Sequence, residues 1–167
     1  MQPDKSKQMK SLLSAVLAVG VSLTALAGVK KGDVFPDLSA FGLEGTLPDT
    51  KGKVVLVDFW ASWCGPCKES FPAMNELQQK FAPQGVVIIA INVDENKADM
   101  ETFLKEHKAD FAVIRDARQK LVDKAGIGTM PSSFILDKDG KVLAAHSGFE
   151  GEKSRKHYEE ELTAALK

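Results

Sequence analysis

The chain is poor in cysteine, with two among 167 residues. Two cysteines cannot build a multi-bridge framework or a Cys-only zinc site. They can form one disulfide or one dithiol. An excess of charge of one sign is also missing. Lys plus Arg number 22 and Asp plus Glu 23, a formal net charge of −1. Such a balance gives no electrostatic footprint for nucleic acid or for an anionic membrane surface. Internal repeats, low-complexity tracts and Pro/Ser-rich linkers are absent. With 44% hydrophobic and 27% charged residues, disorder and collagen-like structure are excluded. The length fits one domain with a substantial core.

The N-terminus is organised differently from the rest. Lys5, Lys7 and Lys10 face a single Asp4, and Ser11 to Ala27 then run without a charge. The run closes on Ala25-Leu26-Ala27, a small-x-small cleavage signal. A basic start, an apolar middle and a small-residue end predict a secretory signal peptide over 1–27. An uncleaved membrane anchor over 11–27 is the alternative, although the run is shorter than a span of roughly 20 residues. No cysteine follows the cleavage site, which excludes lipid attachment there. The remaining domain, 28–167, carries a net charge of −3. Export places it in an oxidising compartment, periplasmic or secreted, where a cysteine pair stays oxidised unless electrons are supplied.

Along 28–167 strand and helix patterns alternate. Gly32–Asp49 is rich in turn residues and reads as a short strand or hairpin. Lys53–Ala61 and Gly85–Asp94 are near-continuous apolar runs that suit strands buried on both faces. Phe111–Arg115 is a third strand. Ser133–Leu136 and Lys141–Ala145 form a hairpin around Asp137-Lys138-Asp139-Gly140. Helical patterns fill Cys67–Ala82, Asn96–Lys108, Arg118–Ala125 and Lys153–Leu166, with Pro72 inside the first. This alternation predicts an α/β domain with a parallel core sheet, an antiparallel edge and flanking helices.

The informative segment is Trp60-Ala61-Ser62-Trp63-Cys64-Gly65-Pro66-Cys67-Lys68. Cys64 and Cys67 stand where a buried strand meets a helix, with two residues between them, close enough to bridge. Free N–H groups and the dipole at a helix N-terminus favour a thiolate over a thiol. Cys64, nearer the surface, is the expected nucleophile and is expected to lie open to water. Cys67, one turn deeper, is the expected resolving cysteine. Pro66 suits a first helical turn, where its missing N–H loses little. Asp58 lies in the buried strand six residues before Cys64. Burial should raise its pKa, which makes it a candidate proton acceptor for Cys67.

Other chemistries find no support. Haem attachment needs His after the second cysteine, where Lys68 stands. Peroxiredoxin chemistry wants Pro and Thr where Val57 and Ala61 stand. His107, His146 and His157 have no ligand spacing, so no metal and no cofactor are expected.

The run VDFWASWCGPCK, with Pro72 five residues after Cys67, resembles the active-site segment of thioredoxins. Thr129-Met130-Pro131 resembles the cis-proline loop of that family. The extra helix and strand near 96–115 and the leader resemble the TlpA/ResA-type branch. This resemblance implies a thioredoxin-like fold with an N-terminal extension and a central insertion. It also implies a cis bond before Pro131 and a client surface of Trp63, Gly65, Pro66, Thr129, Met130 and Pro131. The implied activity is thiol–disulfide exchange, in the reducing direction signalled by the Gly65-Pro66 dipeptide. The implied partners are periplasmic protein disulfides, with apocytochrome c as the leading client, and a membrane thiol-reducing electron donor. Two departures stand out. Thioredoxins carry a lysine near the buried Asp, at the position of Ala90 here. Proteins of the TlpA/ResA branch often have no carboxylate at the Asp58 position and carry instead an active-site Glu after the second strand, matching Glu95. The chain thus offers both Asp58 and Glu95 as proton acceptors. A disulfide oxidase or isomerase, and a non-catalytic binding module with a structural disulfide, are the alternative functions.

Overall fold

A computed structural model describes residues 28–167. The leader over 1–27 lies outside the described residues. Five strands form one sheet in the order β3-β2-β1-β4-β5. They are β1 (Val54–Trp60), β2 (Val86–Asn92), β3 (Ala112–Arg115), β4 (Ser132–Leu136) and β5 (Val142–Ser147). The helices are α1 (Gly65–Phe81), α2 (Lys97–Glu106), α3 (Lys120–Ala125) and α4 (Glu152–Ala165).

β1 is the central strand and is buried at every position. Its β-branched and aromatic residues suit a strand covered on both faces, and a two-sided apolar strand belongs at the middle of such a sheet. β2 runs parallel to it, with Asp58 opposite Ala90 and Trp60 opposite Asn92. β3 pairs parallel to β2, so the edge strand on this side comes from the 96–115 segment. On the other side β4 is antiparallel to β1, with Asp58 opposite Ser133 and Phe59 opposite Ser132. β5 closes the antiparallel edge against β4.

The alternation along β1 sorts its side chains to two cores. Phe59 meets Phe134 and Phe35 on one face, with ring centroids 6.1 and 6.5 Å away. Trp60 meets Phe71 of α1 and Phe103 of α2 on the other, at 4.8 and 4.7 Å. Asp58 shares the Trp60 face, beneath α4. Ion pairs Lys80–Glu159 and Arg155–Glu76 tie the outer surfaces of α1 and α4.

The expected strand or hairpin over Gly32–Asp49 is not formed. Asp37 instead caps a 3-10 turn, Leu38–Phe41. The segment's backbone pairs with the sheet through single bridges, Val34 to Lys141 and Glu44 to Arg115, and through Gly32 N–H donating to the Val142 carbonyl. Phe35 is buried in the core, and Leu38, Phe41, Leu43 and Leu47 pack against it. Gly126, at φ 69°, ends α3, and a Cβ there would come 2.4 Å from the Gly28 Cα. The start of the domain therefore needs glycine on α3's cap to lie close, with Val29 N–H donating to the Ala125 carbonyl.

Candidate active site

The cysteines stand at the C-terminal end of β1. Cys64 is the N-cap of α1 in extended backbone, and its sulfur accepts from the Cys67 N–H at 3.2 Å. The helix thus begins two residues earlier than its apolar periodicity predicts, because Gly65 and Pro66 in its first turn lie on no apolar stripe. Pro66 falls in the first turn, where no helical hydrogen bond is lost. Cys64 and Cys67 are joined as a disulfide, Cα to Cα 5.3 Å.

The expectation of a sulfur open to water is corrected here. Cys64 keeps 4% of its surface and Cys67 none. The cap geometry is the reason, since it folds the Cys64 side chain over the first helical turn. The exposed elements are the neighbours, Trp63 at 71% together with Gly65 and Pro66. A partner that presents a sulfur to Cys64 therefore has to seat on this rim.

The Met130–Pro131 peptide is cis. Because Ser132 pairs with Phe59, Pro131 stands just before the end of the β1–β4 ladder, at the same end of the sheet as the cysteines. Thr129 is exposed, Met130 half-buried and Pro131 buried. The loop is held by Ser132 Oγ–H donating to the Thr129 carbonyl at 2.7 Å and by Gly148 N–H donating to the Pro131 carbonyl at 2.7 Å.

Asp58 is 1% exposed. Ser133 Oγ lies 2.9 Å from its Oδ1, while Oδ2 has no hydrogen-bond partner among the described residues. Burial pushes the Asp58 carboxyl up to about 7, with the Ser133 hydrogen bond opposing it. Its β2 neighbour is Ala90, which provides no cation.

Glu95 is exposed, three residues beyond β2. Its backbone is held rather than its carboxylate. Arg115 donates from Nη2 to the Glu95 carbonyl at 2.5 Å and from Nε to the Asp94 carbonyl at 3.3 Å, and pairs with Glu44 at 2.9 Å. Asp94 in turn accepts from the Ser62 N–H and Oγ–H at 3.0 to 3.1 Å and from Asn92 Nδ2 at 2.7 Å. This buried network fixes Ser62, two residues before Cys64, to the β2 loop. Sequence reading missed it. Its one visible signal is that Asn92 and Asp94 interrupt an apolar run.

Of the cavities among the described residues, two frame the question of a small-molecule site. One, about 470 Å³, opens at the far end of the sheet between Phe35, Leu47, Val55 and Gly140. It is remote from the dithiol. The other, about 250 Å³, borders the site through Ser62 and Lys68 and is otherwise walled by α2. The dithiol thus lies on a rim rather than in a deep pocket, which suits a macromolecular disulfide. Among the described residues no group of three or more His, Cys, Asp or Glu could hold a metal ion.

Comparison with known proteins agrees with this geometry. The Redoxin family model matches residues 30–162. A thiol-disulfide oxidoreductase ResA of Bacillus anthracis is 37% identical over 135 residues, covering 79% of this chain and 78% of its own. ResA of Bacillus subtilis is 34% identical over 145 residues, covering 82% and 81%. A solved Chlorobium tepidum chain described as a thiol:disulfide interchange protein DsbE superposes with a TM-score of 0.74 at 36% identity. It covers 84% of this chain and 100% of that one. The architecture is thioredoxin-like.

Proposed function

Because the chain belongs to the Redoxin family and is a thiol–disulfide oxidoreductase, we propose that it reduces protein disulfides outside the cytoplasm. Residues 1–27 act as the export signal or anchor, and 28–167 as the catalytic domain. Among the described residues no helix is long and apolar enough to cross a membrane, so any anchoring falls to the leader. The observation that carries the reading is the Cys67 N–H aimed at the Cys64 sulfur at the start of a 17-residue helix. An amide donor and a helix dipole both favour the thiolate.

In the reduced protein the Cys64 thiolate attacks one sulfur of a client disulfide. The client's other sulfur leaves as a thiolate and takes a proton. A mixed disulfide joins Cys64 to the client. Cys67 then gives its proton to Asp58 and attacks the Cys64 sulfur. The second client sulfur leaves, and the Cys64–Cys67 bridge seen here forms. Two electrons have passed to the client. Trp63, Gly65, Pro66, Thr129, Met130 and Pro131 form the surface on which an extended client strand seats. Asp58 is the better proton acceptor. It is buried on the face of the sheet that α1 covers, whereas the Glu95 carboxylate is solvent-exposed.

In an oxidising compartment a reductant has to be recharged. A membrane thiol donor is therefore the partner that this reading requires, and apocytochrome c before haem attachment is a fitting client. Direction is decided by the redox potential. The Gly-Pro dipeptide points toward the thioredoxin value of about −270 mV and away from the strong periplasmic oxidant at about −120 mV. Equilibration against a glutathione or dithiothreitol couple is expected to place the pair below about −180 mV. A more oxidising value would assign the protein to disulfide formation or isomerisation.

A further inference from the structure

A buried polar chain crosses the core with no task in this scheme beyond its first member. Asp58 of β1, Ser133 of β4 and Tyr158 of α4 are all buried. Ser133 Oγ lies 2.9 Å from Asp58 Oδ1 and 2.9 Å from the Tyr158 hydroxyl. A serine hydroxyl has one proton to donate. An ionised carboxylate can only accept, so Ser133 donates to Oδ1. Tyr158 then has to donate to Ser133. Burial and the nearby Asp58 charge hold the Tyr158 phenol above its ordinary value, so it remains a donor throughout the working pH range. The chain has one polarity, directed at Asp58.

Among the described residues no cation acts on Asp58, and Trp60 Nε1, a buried donor without a partner, stands on the same face two residues along β1. β2 presents Ala90. The one titratable group among the buried residues of α1 is Cys67. On the α4 side, Glu161 pairs with His146 of β5 at 2.6 Å, and the His146 ring packs edge-on to Tyr158. Both lie behind Tyr158, beyond the end of the chain.

We propose that Ser133, itself held by Tyr158, is a positioning residue for Asp58. The Tyr158-to-Ser133-to-Asp58 hydroxyl chain stabilises the ionised carboxylate, fixes Oδ1, and leaves Oδ2 as the oxygen that takes a proton. It does here what a neighbouring cation would do by charge. The inference rests on the reading of Asp58 as proton acceptor, and its test separates the two.

The test follows the Asp58 carboxyl by infrared or carbon NMR titration of the oxidised protein. Ser133→Ala removes a hydrogen bond to a charged group, and the midpoint is expected to rise by about one pH unit or more. Ser133→Thr keeps the hydroxyl and is expected to restore it. Tyr158→Phe keeps the ring and its packing and is expected to give a smaller rise. It serves as the test if Ser133→Ala does not fold. An unmoved midpoint in a folded Ser133→Ala, or in Tyr158→Phe where that variant stands in, overturns the proposal. The alkaline shift should also appear in the pH profile of disulfide reduction. A moved carboxyl midpoint with an unmoved rate profile supports the positioning role and instead removes Asp58 as the proton acceptor.

Discussion

Substituting Cys67 by Ser is expected to turn a protein that releases its clients into one that keeps them. Cys64 remains the cap of α1 and still attacks. The mixed disulfide then has no internal thiol to resolve it. Cys67 sits three residues from Cys64, within bridging distance. Well-oriented intramolecular nucleophiles act at effective concentrations of about 10^5 M or above. External thiol at millimolar concentration is no substitute, so turnover should fall by at least about a thousandfold. Clients should accumulate as adducts of Cys64, visible on non-reducing gels and lost on reduction. Cys64→Ser is expected to abolish both turnover and adducts. A binding module whose disulfide is structural would trap nothing in either variant.

The second large effect concerns Asp58, and it moves stability and turnover in opposite directions. The unfolded carboxyl titrates near 3.8 and the folded one at about 7. Between those values the folded chain keeps a proton that the unfolded chain has lost. Stability therefore declines as pH rises through this window, by about 1.4 kcal/mol per pH unit and roughly 4 kcal/mol by pH 8. Asp58→Asn has nearly the same shape and never ionises. It should match the wild type at pH 4 and exceed it at pH 8, with a Tm gain on the order of 10 °C. The same variant lacks the proton acceptor, and disulfide reduction at pH 7 should drop on the order of a hundredfold. Calorimetry at the two pH values with a turnover assay checks both halves. Equal Tm differences at pH 4 and pH 8 would show that the carboxylate is not ionised at a cost in the core. Such a pattern, with stability given up at a working residue, is what a functional buried charge produces.

What could be read from the sequence follows from how local each signal is. The β1 run VVLVDFW announces a strand buried on both faces, because its apolar character does not alternate. CGPC at a strand-to-helix junction announces the dithiol, because the cap, Pro66 and both sulfurs lie within four residues. The 32–49 segment misleads for a related reason. Its Gly, Pro and Asp residues specify turns, but only tertiary contact decides whether turns join a hairpin or, as here, a 3-10 turn and two single bridges. The partners of Asp58 are not legible at all. Ser133 is 75 residues away and Tyr158 100 residues away in sequence, and they meet Asp58 only through the β1–β4 register and the seating of α4. Arg115 reads as the polar end of a strand. It is in fact a buried clasp between Glu44 and the Glu95 loop. The low exposure of Cys64 is likewise a consequence of cap geometry, which spacing does not reveal.

The most direct test is the rate at which the reduced protein is alkylated at Cys64 by iodoacetamide, followed from pH 4 to pH 10 with Cys67 replaced by Ser. A sulfur facing the first amides of α1 should react with a midpoint near 7 or below, against about 8.5 for a free thiol. A midpoint at the free-thiol value, or no reaction at any pH in the folded protein, would contradict an electrostatically primed nucleophile at position 64.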